Sequence, residues 1–218
     1  MSKKLLIESQ YFPPIAFFAQ FLRFETVFLN PGERFEKQSY RNRCRILTSN
    51  KVLDLVVPVQ KGKTQLTSGE VGVVYQDKWQ QVHLRAIQSA YGRAPYFEHY
   101  YPQIEQIVKT ERKTIFDLGK NTIAWAARIL NIEFQILNNE ITDEFIDGRS
   151  AIHPKVRSTE FKVQSSKESL NFKLETLNSP YFQCFNHSGF VPNLSIIDLI
   201  MNEGPMSIKY IKKVAGKK

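Results

Sequence analysis

An α/β fold with a mixed sheet is what this 218-residue sequence predicts. Three observations carry that expectation: an N-terminal succession of strand, tight turn, buried helix and strand; two apolar runs joined by Ser49-Asn50; and a central stretch with helical spacing of apolar residues. The expected architecture is an N-terminal βαβ-like unit, a central helical segment and a loop-rich C-terminal part. A single domain spans residues 1–218, with residues 138–180 as a loop-rich subregion.

Leu5-Leu6-Ile7 is a short apolar run bounded by polar residues, as buried strands are. Pro14 suits the start of a helix, where its missing N–H has no partner to lose. Ile15, Phe17, Phe18, Phe21 and Leu22 then leave almost no polar face, so that helix is buried. Thr26-Val27-Phe28-Leu29 is a second strand, stopped by Asn30-Pro31-Gly32. Tyr40 to Leu47 and Val52 to Val57 form an antiparallel hairpin, and Val71 to Val74 is a further strand candidate. Asp77 is the expected N-cap of a helix through Tyr91 that spaces Trp79, Val82, Ala86, Ile87 and Ala90 on one side. Beyond the Pro95 break lies a helix with Ile104, Ile107 and Val108, with Pro102 near its start. A third helix covers Ile115 to Leu130, followed by a short strand at Phe134 to Leu137. Polar residues, Asp147-Gly148 and the stretch Ser158–Ser169 make residues 138–180 read as long loops. Order returns at Tyr181 and in a helix around Ser195–Glu203. There Ser195 and Asp198 have capping-box spacing and Gly204-Pro205 a stop signal.

Composition narrows the function classes. An aromatic share of 12% excludes wholesale disorder. Cys44 and Cys184 are too few for a disulfide framework or a Cys-rich zinc site. No apolar run reaches the ~20 residues that cross a bilayer. The opening Lys3-Lys4-Leu5-Leu6-Ile7 is cut short by Glu8-Ser9-Gln10 and Pro13-Pro14, which argues against a signal peptide and for a cytoplasmic protein. The formal charge of +9 favours anionic partners. Lys61-Gly62-Lys63-Thr64 imitates the end of a P-loop, but Val57 stands where the opening glycine belongs. No dinucleotide-binding, zincin, Cys-x-x-Cys or nucleophile-elbow motif occurs, and His83, His99, His153 and His187 lack metal-ligand spacing. No metal site is expected, and no cofactor is specified.

Three groups of residues could carry chemistry. Arg41, Arg43 and Arg45 alternate with Asn42 and Cys44, so on a strand the three guanidiniums share one face. Neighbours ~7 Å apart repel by ~0.6 kcal/mol in water, and such a row calls for anions opposite it. Those anions are either a phosphate-bearing ligand, which planar guanidinium matches bidentately, or the chain's own Glu33, Glu36 and Asp54. His83 lies four residues from both Trp79 and Ile87, on an apolar helix face; it is either a core histidine or a general base, and Tyr91 lies two turns along the same side. Asp147-Gly148-Arg149 and His153-Pro154-Lys155 place polar groups within nine residues of loop-like sequence, either as a ligand site or as an exposed loop.

With these residues in hand, the sequence resembles the WbqC-like family. The resemblance is carried by Ser9-Gln10-Tyr11-Phe12-Pro13-Pro14, by Gln38 to Ile46 with its Asn42-Arg43 centre, and by Val56-Val57-Pro58-Val59. It continues through Trp79, His83, Ile87, Tyr91 and Ala94 to Phe97, and ends with Phe190 to Leu199. These pieces cover nearly the whole chain in family order. The resemblance implies a bacterial cytoplasmic protein of surface-polysaccharide (O-antigen-type) biosynthesis. It also implies an acyl or aminoacyl (glycine-type) transferase acting on an amino sugar or sugar nucleotide.

On that basis the expected partner is an anionic small molecule, a phosphorylated or nucleotide-linked sugar. Arg41 and Arg43 would hold its phosphate, Asn42 and Tyr11 would orient its sugar, and His83 or His153 would take a proton from the attacking amine. Tyr91, Arg149 and Lys155 complete the expected binding set. The rival is a non-catalytic sugar-nucleotide-binding or adaptor protein of the same pathway. A nucleic-acid-binding protein ranks third, because base-stacking motifs are absent.

Overall fold

A computed structural model describes residues 4–60, 65–137, 145–149, 152–154, 160–164, 169–173, 177–185 and 189–217. Strand β1 (Lys4–Ile7) is followed by helix α1 (Ile15–Phe21) and strand β2 (Thr26–Leu29), which pairs parallel to β1 with Leu5 opposite Val27. Sequential residues of a strand point to opposite faces, yet Leu5, Leu6 and Ile7 are all buried, so the sheet is covered on both sides here. β5 (Gln135–Ile136) adds parallel to β2, and β6 (Phe145–Asp147) adds parallel to the other edge of β1. β7 (Glu160–Gln164) and β8 (Ser169–Lys173) extend that edge antiparallel, giving the order β5-β2-β1-β6-β7-β8. The expected βαβ unit and mixed sheet are present. The expected long loop between 138 and 180 is not all loop: its described residues hold β6, β7 and β8.

The hairpin of β3 (Arg43–Leu47) and β4 (Val52–Val56) forms a separate two-stranded sheet in the register Arg45 opposite Asp54. Its first strand begins at Arg43 rather than at Tyr40, because Tyr40 to Asn42 turn inward: Tyr40 O accepts from Tyr11 N, and Asn42 O accepts from Val57 N. Val71 to Val74 makes only isolated bridges, Gly72 with Thr114 and Val73 with Val59.

Helices α2 (Trp79–Tyr91), α3 (Phe97–Lys109) and α4 (Ile115–Leu130) form the central helical segment. Asp77 does not cap α2: Lys78 takes that position in a left-handed conformation with no side-chain cap. Pro102 lies inside α3 rather than near its start. α4 has the span its sequence predicts; Thr114 Oγ1 accepts from Asp117 N at its start, and Asn131 is left-handed (φ 52°) at its end.

The C-terminal segment closes the core. α5 (Ile196–Glu203) ends at Gly204, whose φ is 54° and where a Cβ would stand 2.5 Å from the Tyr96 ring, so only glycine fits. α6 (Ser207–Val214) follows a short 3₁₀ turn and packs on α1. The start of α1 is completed from this end of the chain: Ile15 N donates to Leu194 O and Ala16 N to Asn193 Oδ1 (2.9 Å).

Candidate functional site

The site is built where the parallel strands end. The chain leaves β1 toward β2 and leaves β6 toward β7, so the loops part between β1 and β6, a topological switch point of the kind where open α/β sheets bind ligands. Glu8-Ser9-Gln10 follows β1, Asn30 to Glu33 follows β2, and Gly148-Arg149 follows β6. Glu8, Ser9, Gln10, Asn30 and Glu33 are all buried, although polar groups are excluded from cores unless they are paired.

Their pairing is specific. Glu33 and Arg41, each 2% exposed, form a bidentate pair with Arg41 Nε 2.9 Å from Oε1 and a terminal nitrogen 2.6 Å from Oε2. Ser68 also donates to Glu33, and Arg41 reaches Glu36 at 3.3 Å. Burial raises the Glu33 carboxyl above its ordinary value, against the opposing pull of Arg41 and Ser68. Burial works against the Arg41 charge as well, but Glu8, Glu33 and Glu36 outweigh it and hold the guanidinium above its usual range. Gln10 Nε2 donates to Glu8 Oε1 at 2.7 Å and to Ile152 O at 3.4 Å. Arg149 donates from Nε to Asp147 Oδ1 at 2.8 Å; that bond, with the charges of Asp147, Glu33 and Glu8, strengthens its hold on the proton.

A cleft of about 500 Å³ adjoins this group, lined by Arg34, Glu36, Lys37, Gln60, Gln65 and His153 among others. Glu36 is engaged by Arg41, whereas Arg34 and Lys37 are exposed and make no ion pair with another described residue. The cleft thus carries two exposed cations and the Arg41-paired Glu36, which ties it to the buried Glu33–Arg41 pair beside it.

The loop after β1 is held rigidly. Thr122 Oγ1 on α4 accepts from Phe12 N (3.0 Å) and shares its proton between Gly119 O (2.8 Å) and Gln10 O (3.1 Å). A Cβ at Gly119 would stand 3.1 Å from Ser9 Oγ and 3.2 Å from the Gln10 main chain, so α4 approaches as closely as only glycine allows. Phe12, fully buried, has φ 40°, a conformation a bulky residue keeps only where its surroundings dictate it. Ser195 Oγ donates to Phe12 O at 2.9 Å and completes that restraint.

Other residues singled out from the sequence lie elsewhere. Arg41 does not share a face with Arg43 and Arg45, since it precedes the strand and turns in to Glu33. Arg43 and Arg45 do share a face, and both bond Asp54 across the hairpin, at 3.3 and 3.0 Å. The guanidinium row is thus divided and met by the chain's own carboxylates. Tyr11 and His83 come together in the core, with Tyr11 Oη 3.0 Å from His83 Nδ1 and the Trp79 ring 5.0 Å from the imidazole. Burial depresses the His83 pKa to about 4, with a main-chain hydrogen bond at Val56 opposing it. Asn42 is buried and donates from Nδ2 to Val57 O at 2.9 Å. The expected binding and catalytic residues are thus parted among the described residues: Arg41 turns to Glu33, Arg43 to Asp54, and Tyr11 and His83 to each other, while Arg41, Arg149 and His153 lie at the carboxyl edge. Lys155 lies outside the described residues.

Tyr91 belongs to another group. Its hydroxyl faces Asp198, to which Tyr181 and Gln183 (3.1 Å) donate. Burial pushes the Asp198 carboxyl up to about 6. The capping-box reading is therefore half met: Ser195 Oγ accepts from Ile197 N at 3.3 Å, but the Asp198 carboxyl turns inward instead of back to Ser195 N, which donates to Arg45 O. Of the polar groups gathered here, sequence reasoning passed over Glu8, whose signal was its place just after the β1 run; Glu33 was read from the sequence as a partner for the guanidiniums and Asp198 as a cap.

Among the described residues, no group of three or more His, Cys, Asp or Glu is placed to hold a metal ion, and no helix is long and apolar enough to cross a membrane. The fold and site define an open α/β protein with a paired polar floor at the switch point and a basic cleft beside it. The chain belongs to the WbqC-like protein family, whose profile matches residues 8–151 and 143–210. It is similar to "Uncharacterized protein Rv1507c" of Mycobacterium tuberculosis, at 23% identity over 228 residues, covering 97% of this chain and 98% of that one. No solved structure matches the chain.

Proposed function

We propose that this protein binds a phosphorylated or nucleotide-linked amino sugar in the cleft at the carboxyl edge of its sheet and transfers an acyl or aminoacyl group to it, in bacterial surface-polysaccharide biosynthesis in the cytoplasm. The observation that carries this reading is the cleft that Arg34 and Lys37 share with His153 among the segments that follow β2, β4 and β6. Phosphate matches the rim, because guanidinium and ammonium groups that make no ion pair with a described carboxylate favour an external anion.

In the transfer, the sugar amine attacks the carbonyl carbon of an activated acyl donor such as a thioester. The nitrogen–carbon bond forms, the carbon–sulfur bond breaks with its electron pair leaving on the thiolate, and the amine proton passes to His153 and on to that thiolate. Imidazole suits the proton step because one ring nitrogen can accept a proton and later give it up.

Isothermal titration with UDP-glucosamine tests the binding reading, and mass spectrometry of the sugar after incubation with thioester donors tests turnover. Replacing Arg34 and Lys37 together by Ala is expected to weaken binding at least tenfold, since hydrogen bonds to charged groups are worth about 1.5–3 kcal/mol each. Absence of binding to any nucleotide sugar rejects the reading. Binding without turnover leaves the non-catalytic carrier in its place.

A further inference from the structure

The Gln10 amide can be oriented without ambiguity. Its nitrogen faces two acceptors, the Glu8 carboxylate at 2.7 Å and the Ile152 carbonyl at 3.4 Å, so the end facing them must be the donor. The opposite end, Gln10 Oε1, is fully buried and accepts no hydrogen bond from a described residue. A buried carbonyl oxygen left without a donor is costly and rare, and such atoms recur where a ligand or an ordered water supplies what the chain does not. Nothing about this loop is slack: Thr122, Gly119 and Ser195 fix the main chain on either side of Gln10. The residue follows β1 at the switch point and, although it does not itself line the cleft, its amide bonds Ile152 O in the segment whose His153 does.

We propose that Gln10 Oε1 is the recognition atom for a hydrogen-bond donor of the ligand, a sugar hydroxyl or amine, with Glu8 fixing the amide in the accepting orientation. The inference rests on the reading of the cleft as a sugar-phosphate site and adds to it the end of the ligand that lies inward. The basic rim holds the phosphate end, and the Gln10 end selects a donor-bearing sugar. The 3.4 Å bond to Ile152 O is the longer of the amide's two ties, so admitting the donor loosens that contact and keeps the one to Glu8.

The test compares UDP with UDP-glucosamine on the wild-type protein and on Gln10→Leu. The expected result is a wild-type preference of about tenfold for UDP-glucosamine, lost in Gln10→Leu while UDP affinity is unchanged. A preference that survives Gln10→Leu overturns the inference and leaves the cleft reading intact. So does equal affinity of the wild type for the two probes. Failure of the wild type to bind either probe overturns both. Should Gln10→Leu not fold, the wild-type side-chain amide gives the same answer by ¹⁵N NMR. Its resonances are expected to shift with UDP-glucosamine and not with UDP, and the absence of any difference between the probes counts against the inference.

Discussion

Replacing Arg41 by Met removes one member of an ion pair whose two side chains are each only 2% exposed. Glu33 then keeps the Ser68 hydroxyl but loses a bidentate cation in a site where burial already raises its pKa. Breaking a buried pair by deleting one partner costs about 3–5 kcal/mol, because the remaining charge is stranded. For a chain of this size each kcal/mol moves the midpoint by about 2–4 °C, so Arg41→Met should melt about 6–20 °C lower. Glu36, half-exposed, adds little to that figure. The deficit should depend on pH with a definite sign. A stranded Glu33 carboxyl with a raised folded-state pKa favours the folded protein when protonated, so the loss is smaller at pH 5 than at pH 8. The double variant Glu33→Gln with Arg41→Met should recover at least half of it. Thermal and denaturant unfolding at both pH values measure all three quantities. A fall of under 2 °C, a pH-independent deficit, or a double variant no better than the single one refutes the reasoning.

Other consequences follow from the same geometry. His83 should remain neutral down to about pH 5 in the folded protein; its depressed pKa contributes stability that is lost as pH falls from 6.5 through about 4, amounting to about 3 kcal/mol. An imidazole titration midpoint near 6.5 by NMR contradicts this. Asp198 works in the opposite direction, because its carboxyl pKa is raised from 3.8 to about 6. Its contribution is present below the lower value and lost as pH rises through the upper, again about 3 kcal/mol. Asp198→Asn should flatten that part of the stability profile, and an unaltered profile excludes the assignment. Gly119→Ala gains about 1 kcal/mol of helix propensity but meets Ser9 and Gln10 at 3.1–3.2 Å, and overpacking costs about 1–3 kcal/mol. Its melting temperature should therefore change little or fall, while UDP-glucosamine affinity drops severalfold as the Gln10 loop shifts. A stabilised variant of unchanged affinity shows that the close approach is not needed.

What could be read from the sequence was local. The β1–α1–β2 unit, the β3–β4 hairpin and α4 follow from apolar runs and turn residues, all set by neighbours in the chain. The guanidinium row failed because strand alternation was extended three residues too early: Arg41 sits in a turn whose direction depends on Tyr11, far away in sequence. Asp198 has the spacing of a capping box, and only the packing of Tyr91, Tyr181 and Gln183 around α5 shows that its carboxyl turns inward. Tyr11 and His83, expected as parts of a ligand site, bond each other within the core, a pairing that depends on the packing of α2 against the loop after β1. The cleft itself joins segments after β2, after β4 and after β6, and no spacing along one stretch of chain could announce it.

Amide chemical-shift mapping with UDP-glucosamine bears most directly on the site. Perturbations should concentrate at Arg34, Lys37, Gln60, Gln65, Arg149 and His153. Shifts centred instead on Arg43, Arg45 and Val56 of the hairpin face, or on α2 around His83, would contradict the placement of ligand at the carboxyl edge of the sheet.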